Sequence, residues 1–155
     1  MDSKDFMRRA IELSIDSVEK GGGPFGAVIV KNGEIIAEAS NSVTTDNDPT
    51  AHAEVNAIRK AAKKLNTFNL EGCEIYTSCE PCPMCFGAIY WSRLDRIFFA
   101  NDRNDAKNIG FDDSFIYDEI QKPIDKRKIK TIIILKDEAL EAFKKWQKKT
   151  DKIEY

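Results

Sequence analysis

Apolar positions first recur at helical intervals, where Phe6, Ala10 and Leu13, flanked by Met7 and Ile11, make a stripe that Gly21-Gly22-Gly23-Pro24 brings to an end. The next run, FGAVIV from Phe25 to Val30, is nearly all apolar, as in a strand buried on both faces. Asn32-Gly33 tolerates the positive φ of a tight hairpin, which makes EIIAEAS the antiparallel partner of that strand. Val55, Ile58, Ala62 and Leu65 again step at helical intervals. EIYTS then reads as strand, CFGAIYW as helix and RIFFA as strand. After a polar stretch, TIIIL (131–135) predicts a further strand. Leu140, Phe143 and Trp146 mark one side of a final helix, and TDKIEY (150–155) remains as a tail.

Strands that alternate with helices predict an α/β architecture, and 155 residues without repeats or a long linker predict a single domain over 1–155. The N-terminus MDSKDFMRRAIEL lacks the apolar core of a secretion signal, and no stretch has the length of a membrane span. A soluble, cytoplasmic protein is expected. With 24 basic and 26 acidic residues, the net charge of −2 gives no general pull toward nucleic acid or membrane. Basic residues do gather late in the chain, at Lys122, Lys126, Arg127, Lys128, Lys130, Lys144, Lys145, Lys148 and Lys149. Asp125, Asp137, Glu138 and Glu141 interrupt them, so a solvated helix surface is the simpler reading than an RNA-binding face.

Cysteine spacing changes the picture. Cys79, Cys82 and Cys85 lie too close together for a disulfide framework and point instead to metal binding, whereas Cys73 reads as a small buried residue beginning a strand. His52-Ala53-Glu54, followed about 30 residues later by Pro81-Cys82-Pro83-Met84-Cys85, makes H-x-E…P-C-x-x-C, a signature of zinc deaminases. Asp48 and Pro49 look like a cap and first-turn proline for one helix, and Pro81 and Pro83 do the same for the next. Both helices then bring the positive end of their dipole to the metal. Cys82 and Cys85, three residues apart, share a face there, and dipole and metal together favour their thiolates.

One histidine and two thiolates leave the fourth tetrahedral position of a zinc ion for water, the arrangement of a catalytic site. One zinc per chain is expected. Zinc lowers the pKa of that water toward neutrality, and Glu54 beside it is placed to carry its proton to the heterocycle and the departing ammonia. The competing reading is a closed structural site in which Cys79 becomes the fourth ligand. In that case the protein is a zinc-binding scaffold with no turnover.

PFGAVIV, DPTAHAEV, TSCEPCPMC, AIYW and FDDSFIY together resemble the compact bacterial guanine deaminases, members of the cytidine deaminase-like superfamily, and the resemblance runs from the first helix to Tyr155. It implies a three-layer α/β/α fold with a central five-stranded mixed sheet, zinc on His52, Cys82 and Cys85, and Glu54 as proton shuttle. It further implies that Asn41 hydrogen-bonds the purine, that Asp113 contacts the ring edge and assists proton transfer, and that Phe25, Ala53, Trp91 and Tyr155 line the substrate. The implied partners are a small purine base and a second copy of the chain, in a homodimer whose C-terminal segment, including 150–155, is exchanged. The implied reaction is hydrolysis of guanine to xanthine and ammonia in purine salvage.

Other readings stay open at this point. A tRNA adenosine deaminase shares both motifs, and cytosine or another small aminoheterocycle is a further substrate class. Phe25 and Trp91 could be core residues, Asn41 could satisfy a turn, and Asp113 could cap the helix that SFIYDEI predicts.

Overall fold

The computed structural model describes all 155 residues, which divide into two compact units, Met1–Asp113 and Ser114–Tyr155. In the first, helix α1 (Ser3–Glu19) starts at Asp2, whose carboxylate accepts from the N–H groups of Lys4 and Asp5 while Asp5 returns a bond to the N–H of Asp2. Strands β1 (Gly26–Lys31) and β2 (Glu34–Ser40) form the expected hairpin, with Asn32 and Gly33 both at positive φ. Helix α2 (Ala53–Leu65), strand β3 (Cys73–Cys79), helix α3 (Pro83–Trp91), strand β4 (Arg96–Asn101) and the short helix α4 (Arg103–Asn108) follow.

The sheet runs β2-β1-β3-β4, antiparallel except for the β3–β4 pair. Along β1 the side chains alternate between two cores. Ala27 and Ile29 join Ala53, Ala57 and Ala61 of α2 and Ile89 of α3, whereas Val28 and Val30 join Phe6 and Ala10 of α1. The α/β/α layering implied by the resemblance is therefore present. It rests on burial of the whole β1 run, where each fully buried Val or Ile contributes about 1.5–3 kcal/mol relative to exposure. On the α1 side Tyr76 stacks on Phe98 with centroids 4.4 Å apart.

Gly26 lets α1 lie this close. A Cβ there would stand 2.3 Å from the carbonyl oxygen of Ala10 and 2.7 Å from the N of Ser14, so the helix rests on bare strand backbone. The same glycine N–H donates to Ser78 Oγ at 3.0 Å, which ties the start of β1 to the end of β3.

The sheet has four strands, not five. TIIIL was expected to be a strand, yet residues 131–134 have no regular structure and Ile132, Ile133, Ile134 and Leu135 are exposed. A strand is completed by a neighbour that takes its N–H and C=O groups, and no strand pairs with this run. The second unit holds helix α5 (Ser114–Gln121), a 3₁₀ turn (Ile124–Lys126) and helix α6 (Lys136–Lys148). The SFIYDEI helix and the final helix were both predicted from sequence. None of the six helices is long and apolar enough to cross a membrane.

Candidate metal centre and active site

His52 and Cys82 occupy equivalent positions: each is the N-cap of its helix, with extended backbone and no side-chain bond to the helix's own N–H groups. An N-cap side chain ordinarily folds back over the first turn. These two are left to converge on each other, while the orphan N–H groups of both helices keep the potential between them positive. Pro83 sits at the first position of α3, as predicted.

The start of α2 differs from the expectation. Asp48 does not cap the helix, because its carboxylate is taken by Thr50, through the backbone N–H at 2.8 Å and the hydroxyl at 2.7 Å. The loop instead closes on Asn56, whose amide donates to the carbonyls of Ser40 and Ala51 and to Ser42 Oγ. With the Ala51 carbonyl occupied by Asn56 and by the N–H of Ser42, helical geometry begins at Ala53.

His52 Nδ1 lies 3.5 Å from Cys82 Sγ and 3.4 Å from Cys85 Sγ, and the three ligand atoms all fall within 4.8 Å of one another. Atoms bound tetrahedrally to one zinc, at about 2.0–2.1 Å for nitrogen and 2.3 Å for sulfur, stand roughly 3.5 Å apart. The donor set and its spacing fit that ion.

The two thiols share a hydrogen bond that holds Cys82 down at about 4 and pushes Cys85 up, so a thiolate is already available at neutral pH. His52 is raised by the same Cys82 thiolate. Cys79 stands outside this trio. It is buried with its Sγ toward the carbonyl of Asp102 at 3.9 Å, and burial pushes its thiol up to about 11. The group that could hold a metal ion is thus His52, Cys82 and Cys85, without Cys79.

Glu54, in the first turn of α2, is only 6% exposed, and burial pushes its carboxyl up while contact with Cys85 opposes the rise. A buried carboxyl raised above its ordinary value holds a proton more readily than an exposed one, which suits a group that takes up and gives out protons. Ala53, beside it, is completely buried.

The other residues picked out from sequence are placed unevenly. Asn41 follows β2, and its Oδ1 accepts from the N–H of Val43 at 3.1 Å, so the turn role is real and the side chain's amide NH₂ is held in a defined orientation. Phe25 packs against the core beneath α2 and meets Phe111 edge-on, 5.0 Å between centroids at 86°. Asp113 is raised by partial burial, with Arg103 opposing and Cys82 adding to the rise. Trp91 is not a core residue, being 66% exposed, with the Arg93 guanidinium 5.9 Å from its ring. Tyr155 is exposed at the chain end. Sequence reasoning missed Phe111, Glu80 and Arg103. Phe111 and Glu80 lie inside FDDSFIY and TSCEPCPMC, which carried the resemblance without a role for either residue, whereas Arg103 carries no local pattern.

Residues 1–101 match the cytidine and deoxycytidylate deaminase zinc-binding region. The chain belongs to that deaminase family. Within it, the chain is similar to the guanine deaminase of Bacillus subtilis (strain 168), 54% identical over 156 residues that cover the whole of both proteins. The X-ray structure of the Bacillus subtilis guanine deaminase superposes with a TM-score of 0.97 over 100% of this chain and 99% of that one. The tRNA-specific adenosine deaminase of Aquifex aeolicus (strain VF5) is 48% identical over 100 residues, 64% of this chain and 66% of that protein. The motif found in the sequence lies within the matched region, and its members fall on the two helix starts described above.

Proposed function

We propose that this protein hydrolyses guanine to xanthine and ammonia. The observation that carries the reading is the end-to-end match to a guanine deaminase, where the match to a tRNA adenosine deaminase spans 100 residues and leaves the rest of the chain unmatched. His52, Cys82 and Cys85 would hold the zinc, which when bound supplies a water acidic enough to serve as nucleophile near neutral pH.

The remaining chemistry belongs to the chain's own groups. Glu54 takes one proton from the water and gives it to ring nitrogen N3 as the C2–O bond forms. It then takes the remaining proton from the new C2 hydroxyl and gives it to the exocyclic nitrogen, so that the C2–N bond breaks, ammonia leaves and the C2 carbonyl of xanthine remains. Asn41 presents its amide N–H groups to the purine's carbonyl edge, and Asp113 accepts from its N–H edge. Phe25 provides an apolar wall, and Ala53 keeps the floor beside Glu54 shallow enough for a flat base.

The same reading includes a homodimer with an exchanged C-terminal segment, working in cytoplasmic purine salvage. Three features support the exchange. Helix α3 is apolar all round, yet Met84, Phe86, Tyr90 and Trp91 are exposed. Strand β4 forms an unpaired edge. The Ile132–Leu135 run, Phe143 and Trp146 are exposed as well. A second copy supplies the cover, and Tyr155 and Trp91 then close the site across subunits.

Ammonia release measured across guanine, adenine, cytosine, their nucleosides and tRNA tests the substrate. Guanine is expected to lead, and turnover of the free base is expected to be insensitive to salt. A preference for tRNA that weakens steeply with salt would replace this reading by the tRNA one. For the exchange, deletion of 151–155 is expected to keep zinc and lose most turnover. Mixed dimers of that deletion with Glu54→Gln are expected to regain activity, because the subunit with intact Glu54 receives its partner's intact tail. Full activity of the deletion alone would remove the tail from the site.

A further inference from the structure

Arg103, the first residue of α4, is fastened on two sides. Its backbone N–H donates to Glu80 Oε1 at 3.2 Å, and Glu80 is itself fixed by its N–H to the carbonyl of Asn101 at 2.7 Å. Glu80 lies in the turn between β3 and α3, two residues before the ligand Cys82, so the start of α4 is pinned to the strand of chain that delivers the metal-binding thiols. On its other side, the Arg103 Nε lies 3.8 Å from Asp113 Oδ1.

Asp113 sits ten residues further on, beyond α4, in a stretch with no helix or strand to set the direction of its side chain. The charged and titratable groups that face it are Arg103, Cys82 and Glu80, with Cys79 also within electrostatic reach. Arg103 is the cation of that group.

We infer that Arg103 is a positioning residue for Asp113, holding its carboxylate in place as the acceptor for the N–H edge of the purine. The inference rests on the guanine reading above. A carboxylate accepts hydrogen bonds at both oxygens, so its direction decides whether both N–H groups of that edge are met. Arg103 acts from the flank of the site, and its contact with Asp113 is a loose ion pair that bears on substrate binding and not on the metal.

The backbone bond from residue 103 to Glu80 survives any side-chain change at 103, so Arg103→Ala and Arg103→Lys leave that anchor in place. The experiment uses zinc-loaded protein with zinc content checked for every variant, and it measures kcat and KM for guanine from pH 5 to 9. The variants are Arg103→Ala, Arg103→Lys, Asp113→Asn and the Arg103→Ala/Asp113→Asn pair. Guanine affinity is also measured by calorimetry in a Glu54→Gln background, where turnover does not interfere.

Arg103→Ala is expected to keep full zinc, lower kcat/KM at neutral pH by about twofold to fivefold chiefly through KM, and weaken calorimetric binding to a similar degree. Arg103→Lys is expected to restore most of the loss. In Asp113→Asn the further loss of Arg103 is expected to have little effect, because the charge it serves is gone. Unchanged kcat/KM in Arg103→Ala, additive losses in the double variant, or no rescue by Lys would each overturn the inference and leave the substrate reading intact. Failure of the unaltered protein to deaminate guanine would instead sink the substrate reading, and this inference with it.

Discussion

Strand β1 and the run Thr131–Leu135 are close in composition, since both are short and rich in Val, Ile or Leu. β1 lies between β2 and β3, takes hydrogen bonds on both edges and buries nearly every side chain. The run 131–135 belongs to the second unit, pairs with nothing and stays exposed, with Ile133 at 70%. Every residue of the buried core lies between Phe6 and Ser92. An apolar, β-branched segment becomes a strand only where another strand offers an edge, because its backbone polar groups need partners as much as its side chains need cover. Helix α6, which satisfies its backbone internally, forms in the same unit without such help.

If the first unit alone carries the chemistry at the metal, the largest effects of mutation belong there. Cys82→Ala is expected to lose zinc and turnover together, while Cys79→Ala keeps zinc, as read by metal analysis of purified protein. Zinc loss from Cys79→Ala would restore the four-ligand site and break the contrast between the two thiols. Next in size, Glu54→Gln is expected to retain zinc and lose about 100-fold to 10,000-fold in ammonia release. Near-normal turnover in that variant would take Glu54 out of proton transfer.

The contrast between the two apolar runs is sharpened by truncating one isoleucine in each. Ile75→Ala, at a fully buried position of β3, is expected to cost about 2–5 kcal/mol in denaturant unfolding. Ile133→Ala is expected to cost less than about 0.5 kcal/mol wherever the protein is monomeric. A large cost for Ile133→Ala that grows with protein concentration would show a second copy covering it, and Ile133→Asp would then shift the molar mass in light scattering toward one chain.

The smallest effect concerns Glu38, which receives both Arg9 Nε and Nη2, at 2.8 and 2.7 Å. The hydrogen bonds from Arg9 hold its carboxyl below the ordinary value of 4.5. A depressed folded value stabilises above the unfolded one and is lost as pH falls through the folded one. Glu38→Gln is therefore expected to be less stable than the unaltered protein at pH 7 by under about 1 kcal/mol, since the pair is partly exposed, and the difference is expected to shrink as pH falls below the ordinary value of 4.5 and through the depressed folded one. A gap that does not shrink as pH falls would assign the contribution to packing of the arginine stem.

Much of this protein was legible in the order of its residues, because the relevant signals are local. Helical spacing in α1 and α2, the Asn32-Gly33 hairpin and proline at the start of α3 each act over a few residues, and each was found where the pattern placed it. The pairing of His-x-Glu with Pro-Cys-x-x-Cys pointed in the same way to His52, Cys82 and Cys85, which the structure brings together as a group that could hold a metal ion. Tertiary structure decided what depends on partners distant in sequence. It spent the carboxylate of Asp48 on Thr50 and moved the start of α2 to Ala53. It turned Cys79 away from the metal and set Phe111 against Phe25 and Arg103 against Asp113. It also left Thr131–Leu135 without a neighbour, because propensity belongs to a segment while a hydrogen-bonded edge belongs to the two strands that share it.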